Sequence, residues 1–394
     1  MSVRGIRYLI FLKDISVLAV TCFGGPQVHL TMFIKHLVQK HKYLTESELM
    51  ELYSLCQVLP GPTSTQTITA IGFRLGGASL AYLTLLVWIL PAITLMGLAA
   101  IGITYINKDT LINISQFIKP MGVAFVFFAA YTIGKKVINT KTSVAILVFA
   151  TVFDYIFHSP YITPLLILFG GVASSFKFQQ QEKTEEKKPI KIEWANFILW
   201  LGVLLFTAIL GKITHSLPVR LFENFYRNGS LAFGGGHILK PLLYNEFVVY
   251  KPYLSSDEFL SGISLAELVP GPTFSIASFV GALSMRAGGV DSQILGAIIA
   301  SIGIFLPGAF LIFFVIRFWE QLKQFRAVRA SLEGVNAAST GLTFAAGVSL
   351  SQPMLTDISF VSTIIITLIA LLSKKIPSYL IILIGLALGI ILNF

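Results

Sequence analysis

The chain has 394 residues, 55% of them hydrophobic and only 12% charged, with a mean hydropathy of +0.79 and a formal net charge of +10. Soluble domains carry about 25% Asp, Glu, Lys and Arg, so an ordinary soluble enzyme is excluded and lipid is the solvent for most of this surface. The basic residues are spread over many polar gaps instead of one face, which argues against a nucleic-acid partner.

A spanning helix needs roughly 20 mostly apolar residues. Residues 1–12 lack a small-residue cleavage site, so no removable signal peptide is expected. Hydrophobic segments then follow near 15–34, 52–73, 78–106, 112–134, 143–157 and 161–176. Cys22 and Cys56 both fall inside them, which offers neither a disulfide framework nor a metal spacing. The stretch 177–193 is rich in Gln, Glu and Lys without apolar periodicity and reads as a solvated linker. An extra apolar segment, 194–210, has no counterpart earlier in the chain. A second series runs near 221–240, 261–283, 292–316, 327–349, 358–373 and 377–393. The fold class expected is an all-α polytopic membrane protein. Runs such as 78–106 are apolar on every face, unlike the alternating strands of a barrel.

The two series are one unit written twice. A shift of 210 positions carries Phe23-Gly24-Gly25 onto Phe233-Gly234-Gly235 and Pro60-Gly61-Pro62-Thr63 onto Pro270-Gly271-Pro272-Thr273. It also carries Tyr43-Leu44 onto Tyr253-Leu254 and Glu48 onto Glu258. A shift of 212 carries Arg74 and Gly76-Gly77 onto Arg286 and Gly288-Gly289. The expected organisation is a first repeat at 1–176, a polar cytoplasmic linker at 177–193, a linking transmembrane helix at 194–214 and a second repeat at 215–394. With about six segments per repeat plus the extra one, equivalent segments lie an odd number of crossings apart. The second copy is therefore expected to be inverted. A cytoplasmic N-terminus then puts most of the 29 Lys and Arg residues inside, as the positive-inside rule requires. Whether the motif segments are re-entrant or fully spanning leaves this parity unchanged.

Inverted-repeat carriers bind substrate where interrupted helices of both copies aim their backbone ends at it. In Leu59-Pro60-Gly61-Pro62 a helix should stop near Leu59, since each proline lacks an N–H and restricts its predecessor. Pro62 suits the first turn of a new helix, whose free amides form a positive end. Thr63, Ser64 and Thr65 add hydroxyls there, a setting for an anion. Gly24, Gly25 and Pro26 repeat the logic, with Gly234, Gly235 and Gly236 in the second copy, and Pro270, Gly271, Pro272 and Thr273 complete four breaks. The alternative is a set of kinks that merely help helices pack.

Polar candidates beside the breaks are Gln27, His29, Gln57 and Gln66, then His237, Lys240 and Ser275. Arg74 and Arg286, kept by the repeat, either attract an anion or anchor helix ends. Arg227 either snorkels or faces an anion. Glu267 stands where the shift puts Gln57; an ionisable group at that depth reads as functional, a proton carrier or else an ion-pair partner of Lys240 or Arg227. No phosphate-binding loop, metalloprotease motif, metal cluster or nucleophile elbow occurs. The expectation is therefore a transporter driven by an ion gradient, not an enzyme, with no cofactor and no metal.

These motifs resemble the chromate ion transporter family in its long form of two fused halves. The resemblance rests on Phe23-Gly24-Gly25-Pro26 with His29, on Tyr43-Leu44-Thr45, and on Pro60 to Pro62, Gln66, Gly72, Arg74, Gly76-Gly77 and Pro91. It continues through Phe233 to Gly236, Pro241-Leu242-Leu243, Pro270 to Pro272 and Pro307. It implies an inner-membrane protein moving chromate, a tetrahedral dianion similar to sulfate. A negative interior drives a dianion outward by roughly 2.3 kcal/mol per charge per 100 mV, so the expectation is efflux by secondary active transport or antiport, giving chromate resistance. Tyr43 and Tyr253 stand where the family suggests tryptophan, and Glu267 where it suggests glutamine. The alternatives are proton-coupled uptake or exchange of sulfate or another oxyanion, and an anion channel. The partners expected are the oxyanion and the lipid bilayer, with a homodimer as an option for assembly.

Overall fold

The computed structural model describes residues 3–23, 26–105, 117–157, 162–176, 193–233, 236–317, 326–373 and 375–391. Among them the regular structure is helical and there is no strand. In chain order the helices are α1 (Val3–Thr21), α2 (Pro26–Phe33), α3 (Glu46–Val58), α4 (Thr63–Tyr105), α5 (Ile118–Val137), α6 (Lys141–Phe157), α7 (Ile162–Ser175) and α8 (Ala195–Thr214). They continue with α9 (Leu217–Leu231), α10 (Gly236–Tyr244), α11 (Ser256–Leu268), α12 (Ile276–Ser284), α13 (Gly289–Val315), α14 (Arg326–Ser351), α15 (Ile358–Ser373) and α16 (Ser378–Ile391).

The sequence repeat reappears as repeated local structure. Both α2 and α10 run on into a π-helical turn, Ile34–Lys40 in one copy and Asn245–Tyr250 in the other. Each following helix opens on the same reciprocal cap. Thr45 accepts from the Glu48 amide while Glu48 accepts from the Thr45 amide. Ser255 and Glu258 exchange the equivalent bonds at 3.2 and 2.8 Å. Such a capping box satisfies two orphan donors at once and fixes where the helix starts. The extra segment of the sequence is α8. Its outer positions Ile198, Phe206, Ile209 and Ile213 are all well exposed.

Among the described residues three helices are long and apolar enough to cross a bilayer: Thr63–Tyr105, Ala195–Thr214 and a stretch from Arg286 to Val315. The first is not straight, because Gly76 and Gly77 depart from helical backbone and divide it. Half-exposed leucines at 83, 86, 90, 95 and 98 then line its outer face, where soluble proteins would place charge. This is the surface of a membrane protein.

The chain divides into two compact units, and each draws on both sequence halves. One comprises residues 1–107, 194–230 and 265–316, and the other comprises 108–193, 231–264 and 317–394. In the first, α4 is the central element, packed by α1, α3, α12 and α13. Helix α8 is tied to α9 there by Trp200 Nε1 donating to Ser230 Oγ at 3.0 Å and Tyr226 Oη donating to the Trp200 carbonyl at 3.0 Å.

In the second unit α14 is the centre, packed by α5, α6 and α7. Its inward face is small, with Ala337, Ala338 and Leu342 meeting Ile146, Ala150, Leu166 and Ile167. Gly334 lies against Gly170 so closely that a Cβ there would collide with the Gly170 carbonyl oxygen. Ser174 Oγ accepts from the Gly334 amide at 3.0 Å and sits 3.2 Å from the Ser331 carbonyl. Small residues let helices approach in this way when lipid gives no hydrophobic drive for association. Replacing Gly334 by valine should therefore overpack the α7–α14 crossing and cost about 1–3 kcal/mol. Gly102→Ala adds a methyl with nothing within 4 Å and should be neutral or stabilising by up to about 1 kcal/mol. Thermal unfolding of both variants in detergent, followed by gel filtration, checks the contrast.

Candidate functional site

Both proline-glycine-proline breaks lie in the first unit, and their backbone follows from local chemistry. Helix α3 ends at Val58, and Leu59 is extended at φ −84° and ψ 148°, as a residue before proline must be. Gly61 takes φ +122° and Gly271 takes φ +105°, a region that L side chains rarely adopt. Helix α4 then starts at Thr63, with the Gln66 amide donating to the Pro62 carbonyl at 2.9 Å. The second copy resumes through a short 3-10 turn, Thr273–Ser275, before α12.

The start of α4 is enclosed. Thr63, Ser64, Thr65 and Gln66 are all buried, although the first amides of any helix lack an intrahelical acceptor. His29, fully buried on α2, places Nδ1 2.9 Å from Ser64 Oγ. Its ring meets Trp88 edge-on at 5.3 Å and 89°, and Trp88 Nε1 donates to Thr65 Oγ1 at 3.2 Å. Gln66 Nε2 donates to the Pro60 carbonyl at 2.8 Å and the Gly308 carbonyl at 3.3 Å. Among the described residues His29 Nε2, Gln66 Oε1 and Ser275 Oγ are buried without a hydrogen-bond partner, as are some polar atoms elsewhere, Gln293 Nε2 and Ser339 Oγ among them. Buried polar atoms in native proteins are almost always satisfied. Two such exceptions, His29 Nε2 and Gln66 Oε1, stand at a buried helix start, an arrangement suited to receive a polar ligand.

The two breaks are packed crosswise. A Cβ on Gly61 would stand 3.5 Å from the Gly308 Cα, and one on Gly271 would stand 3.1 Å from the Ala92 Cβ. Gly308 and Ala92 each follow the proline inside their long helix, Pro307 and Pro91. The Gly271 amide also donates to the Cys22 carbonyl at 2.8 Å, which ties the second copy's break to the chain just past α1. Ser278 Oγ adds a bond to the Ile93 carbonyl at 2.7 Å.

The other candidates fall differently. Gly24, Gly25, Gly234 and Gly235 lie outside the described residues. Helix α1 ends at Thr21 and α2 opens at Pro26 and Gln27, while α9 ends at Leu231 and α10 opens at Gly236 and His237. Gln57 is the penultimate residue of α3. Lys240 is buried on α10, in the second unit. Glu267 is half-buried near the end of α11, three residues before Pro270.

Arg74 and Arg227 each lie against a carboxylate. Arg74 Nη2 is 2.6 Å from Glu48 Oε1. Two Thr45 hydrogen bonds hold the Glu48 carboxyl below its ordinary range, and Arg74 adds to that. Arg227 Nε is 2.8 Å from Glu223 Oε1, and Arg227 also donates to Asn224. Arg286 is exposed in the 3-10 turn before α13. Sequence reasoning singled out neither Trp88 nor Gly308. A tryptophan in the middle of an apolar run, away from the interface where tryptophans collect, is the signal that would have raised Trp88.

A family model described as chromate transporter matches residues 10–175 and again 219–390. The probable chromate transport protein of Synechococcus elongatus is 27% identical over 377 residues, 94% of this chain and 91% of that one. The chromate transport protein of Pseudomonas aeruginosa is 24% identical over 341 residues, 84% of this chain and 78% of that one. An uncharacterized transporter of Methanocaldococcus jannaschii is 27% identical over 393 residues, covering 97% and 92%. No solved structure matches the chain. With both matches together spanning most of its length, the chain belongs to the chromate transporter family.

Proposed function

We propose that this protein carries chromate across the inner membrane by secondary active transport and that the net direction is outward, which would confer chromate resistance. The observation that carries the reading is the enclosed start of α4, where His29 Nε2 and Gln66 Oε1 are buried without partners and the first helix amides lack intrahelical acceptors. His29 and the amides are donors suited to the oxygens of a tetrahedral anion. Relatives named as chromate transport proteins supply the substrate.

In this reading the two copies are inverted, and the crosswise packing of each break on the proline-bearing helix of the other copy supports it. The N-terminus is cytoplasmic, and alternating access moves the anion past the breaks. The direction follows from magnitude. A membrane potential is worth roughly 2.3 kcal/mol per charge per 100 mV, so a dianion gains about 4.6 kcal/mol on leaving a negative interior. That is more than a thousandfold at about 1.4 kcal/mol per decade. Uptake would need about two cations merely to cancel the charge.

One residue favours a second reading. Glu267, half-buried next to the second break, places a carboxylate where a dianion would be repelled unless it is protonated. That arrangement suits proton-coupled uptake or exchange of sulfate or another oxyanion.

Proteoliposomes loaded with chromate under an interior-negative potential should release it above protein-free controls, and no excess release would end the proposal. His29→Ala should lower the rate on the order of tenfold or more, as expected for losing one hydrogen bond to a charged group, while the protein still inserts. Gly61→Val and Gly271→Val should each abolish binding, because the side chain cannot follow the positive φ; wild-type affinity in either would count against backbone coordination. Under the second reading, Glu267→Gln removes the pH dependence of exchange and spares its electrogenic component. Measuring rate against pH with chromate, sulfate and molybdate in competition separates the two readings.

A further inference from the structure

The first unit has a second concave feature that shares no residue with the enclosed start of α4. It is a cavity of about 640 Å³ between the first turns of α1, the loop after the π-helical turn and the bend of α4. Its lining includes the cationic and aromatic residues Arg7, Tyr8, His41, Lys42 and Tyr43 and the apolar Ile10 and Leu75. The volume is in the range of small-molecule sites, roughly 300–1,000 Å³.

The polar lining is held in place from behind. Tyr43 Oη donates to Asp14 Oδ2 at 2.6 Å, and His41 Nδ1 is 3.3 Å from the same oxygen. The His41 and Tyr43 rings stack at 5.7 Å with an angle of 10°, and Phe11 meets Tyr43 edge-on at 5.2 Å. Asp14 is thereby engaged behind His41 and Tyr43 and does not line the cavity, whereas the exposed cations Arg7 and Lys42 do. Lys42 takes φ +51°, a left-handed conformation uncommon outside glycine, and residues held in such conformations cluster at ligand-binding positions.

The duplication supplies an internal control. Under the 210 shift, Leu217, Pro218, Lys251 and Pro252 replace Arg7, Tyr8, His41 and Lys42, and Asn224 replaces Asp14. Only Tyr43 keeps its identity, as Tyr253. The second copy carries its cations at other positions, Arg220 in place of Ile10 and Lys251 in place of His41, so the Arg7 and Lys42 pair belongs to the first copy alone.

We propose that this cavity binds the phosphodiester headgroup of an anionic glycerophospholipid. Arg7 and Lys42 face the phosphate, with Tyr8 and His41 beside it. The acyl chains run over the half-exposed Ile6, Leu9 and Ile10 of α1. This apolar flank is what favours a lipid over a free phosphate, which would have no use for it.

Native mass spectrometry of the full-length protein in mild detergent tests the assignment, with dioleoylphosphatidylglycerol and dioleoylphosphatidylcholine as matched probes. Phosphatidylglycerol should be retained preferentially. Arg7→Ala with Lys42→Asn should weaken it about thirtyfold, the equivalent of roughly 1 kcal/mol for each cation near a headgroup. Asparagine keeps the left-handed backbone accessible. Lys13→Ala, which removes an exposed charge outside the cavity, should leave binding unchanged. Should the double variant not fold, Lys42→Asn alone and the wild-type comparison of the two lipids still decide. Equal retention of the two lipids, or unchanged phosphatidylglycerol binding in a folded variant, would overturn the proposal. Displacement of the lipid by excess inorganic phosphate would reassign the cavity to a soluble anion and equally overturn it.

Discussion

A peptide group taken out of water must find a partner within the protein, and in an apolar chain each interruption of a helix creates several that have none. The breaks at Pro60-Gly61-Pro62 and Pro270-Gly271-Pro272 show how the demand is met. The Gly271 amide reaches the Cys22 carbonyl, the Pro60 carbonyl takes the Gln66 side-chain amide, and the same nitrogen bridges to Gly308. The bonds from Gly271 to Cys22 and from Gln66 to Gly308 join segments distant in sequence, so satisfying the breaks and packing α4 against its neighbours are one process. Near the breaks, what stays unsatisfied is His29 Nε2, Gln66 Oε1 and Ser275 Oγ. Such groups are costly in an apolar interior, and a ligand that satisfies them recovers that cost on binding.

Close approach depends on the same economy of side-chain volume. At Gly61 and Gly271 a methyl group would meet the neighbouring proline-bearing helix, and at Gly334 it would meet the Gly170 carbonyl. The first two positions bring backbone to the polar cluster, whereas the third only joins two helices in the other unit. Similar composition thus accompanies helix breaks in one place and a helix crossing in another, and burial alone does not separate them. The local polar groups differ: Gln66 Oε1 and Ser275 Oγ lack partners near the two breaks, whereas the Gly334 amide is taken by Ser174 Oγ.

The breaks were legible in the sequence because their causes are local. Two prolines around a glycine end a helix whatever surrounds them, and Thr45 with Glu48 announces the start of the next. The 210-residue shift made the second set readable from the first. Partners in space were not legible. Nothing in the spacing of Gly61 and Gly308, or of His29 and Trp88, brings them together; packing of α4 does. Arg74 suggested an attractor or an anchor, and its pairing with Glu48 depends on α3 folding back along α4. The compact units also cut across the sequence halves, because contacts follow crosswise packing while the repeat follows the chain.

The charge balance around the breaks bears on how tightly an anion is held in the proposed reading. Arg74 and Arg227 already spend much of their charge on Glu48 and Glu223, so the pull on an anion falls to helix amides and to His29. A helix start contributes about 0.3–1 kcal/mol, up to roughly 2 when partly buried, much less than a desolvated, dedicated cation would. A carrier benefits from that weakness, since a site must let its substrate leave as readily as it admits it. Placing an unpaired lysine at Gln66 should therefore raise affinity and slow turnover together. An arrangement built for storage would show the opposite bias, with free cations pointing inward and few hydroxyls between them.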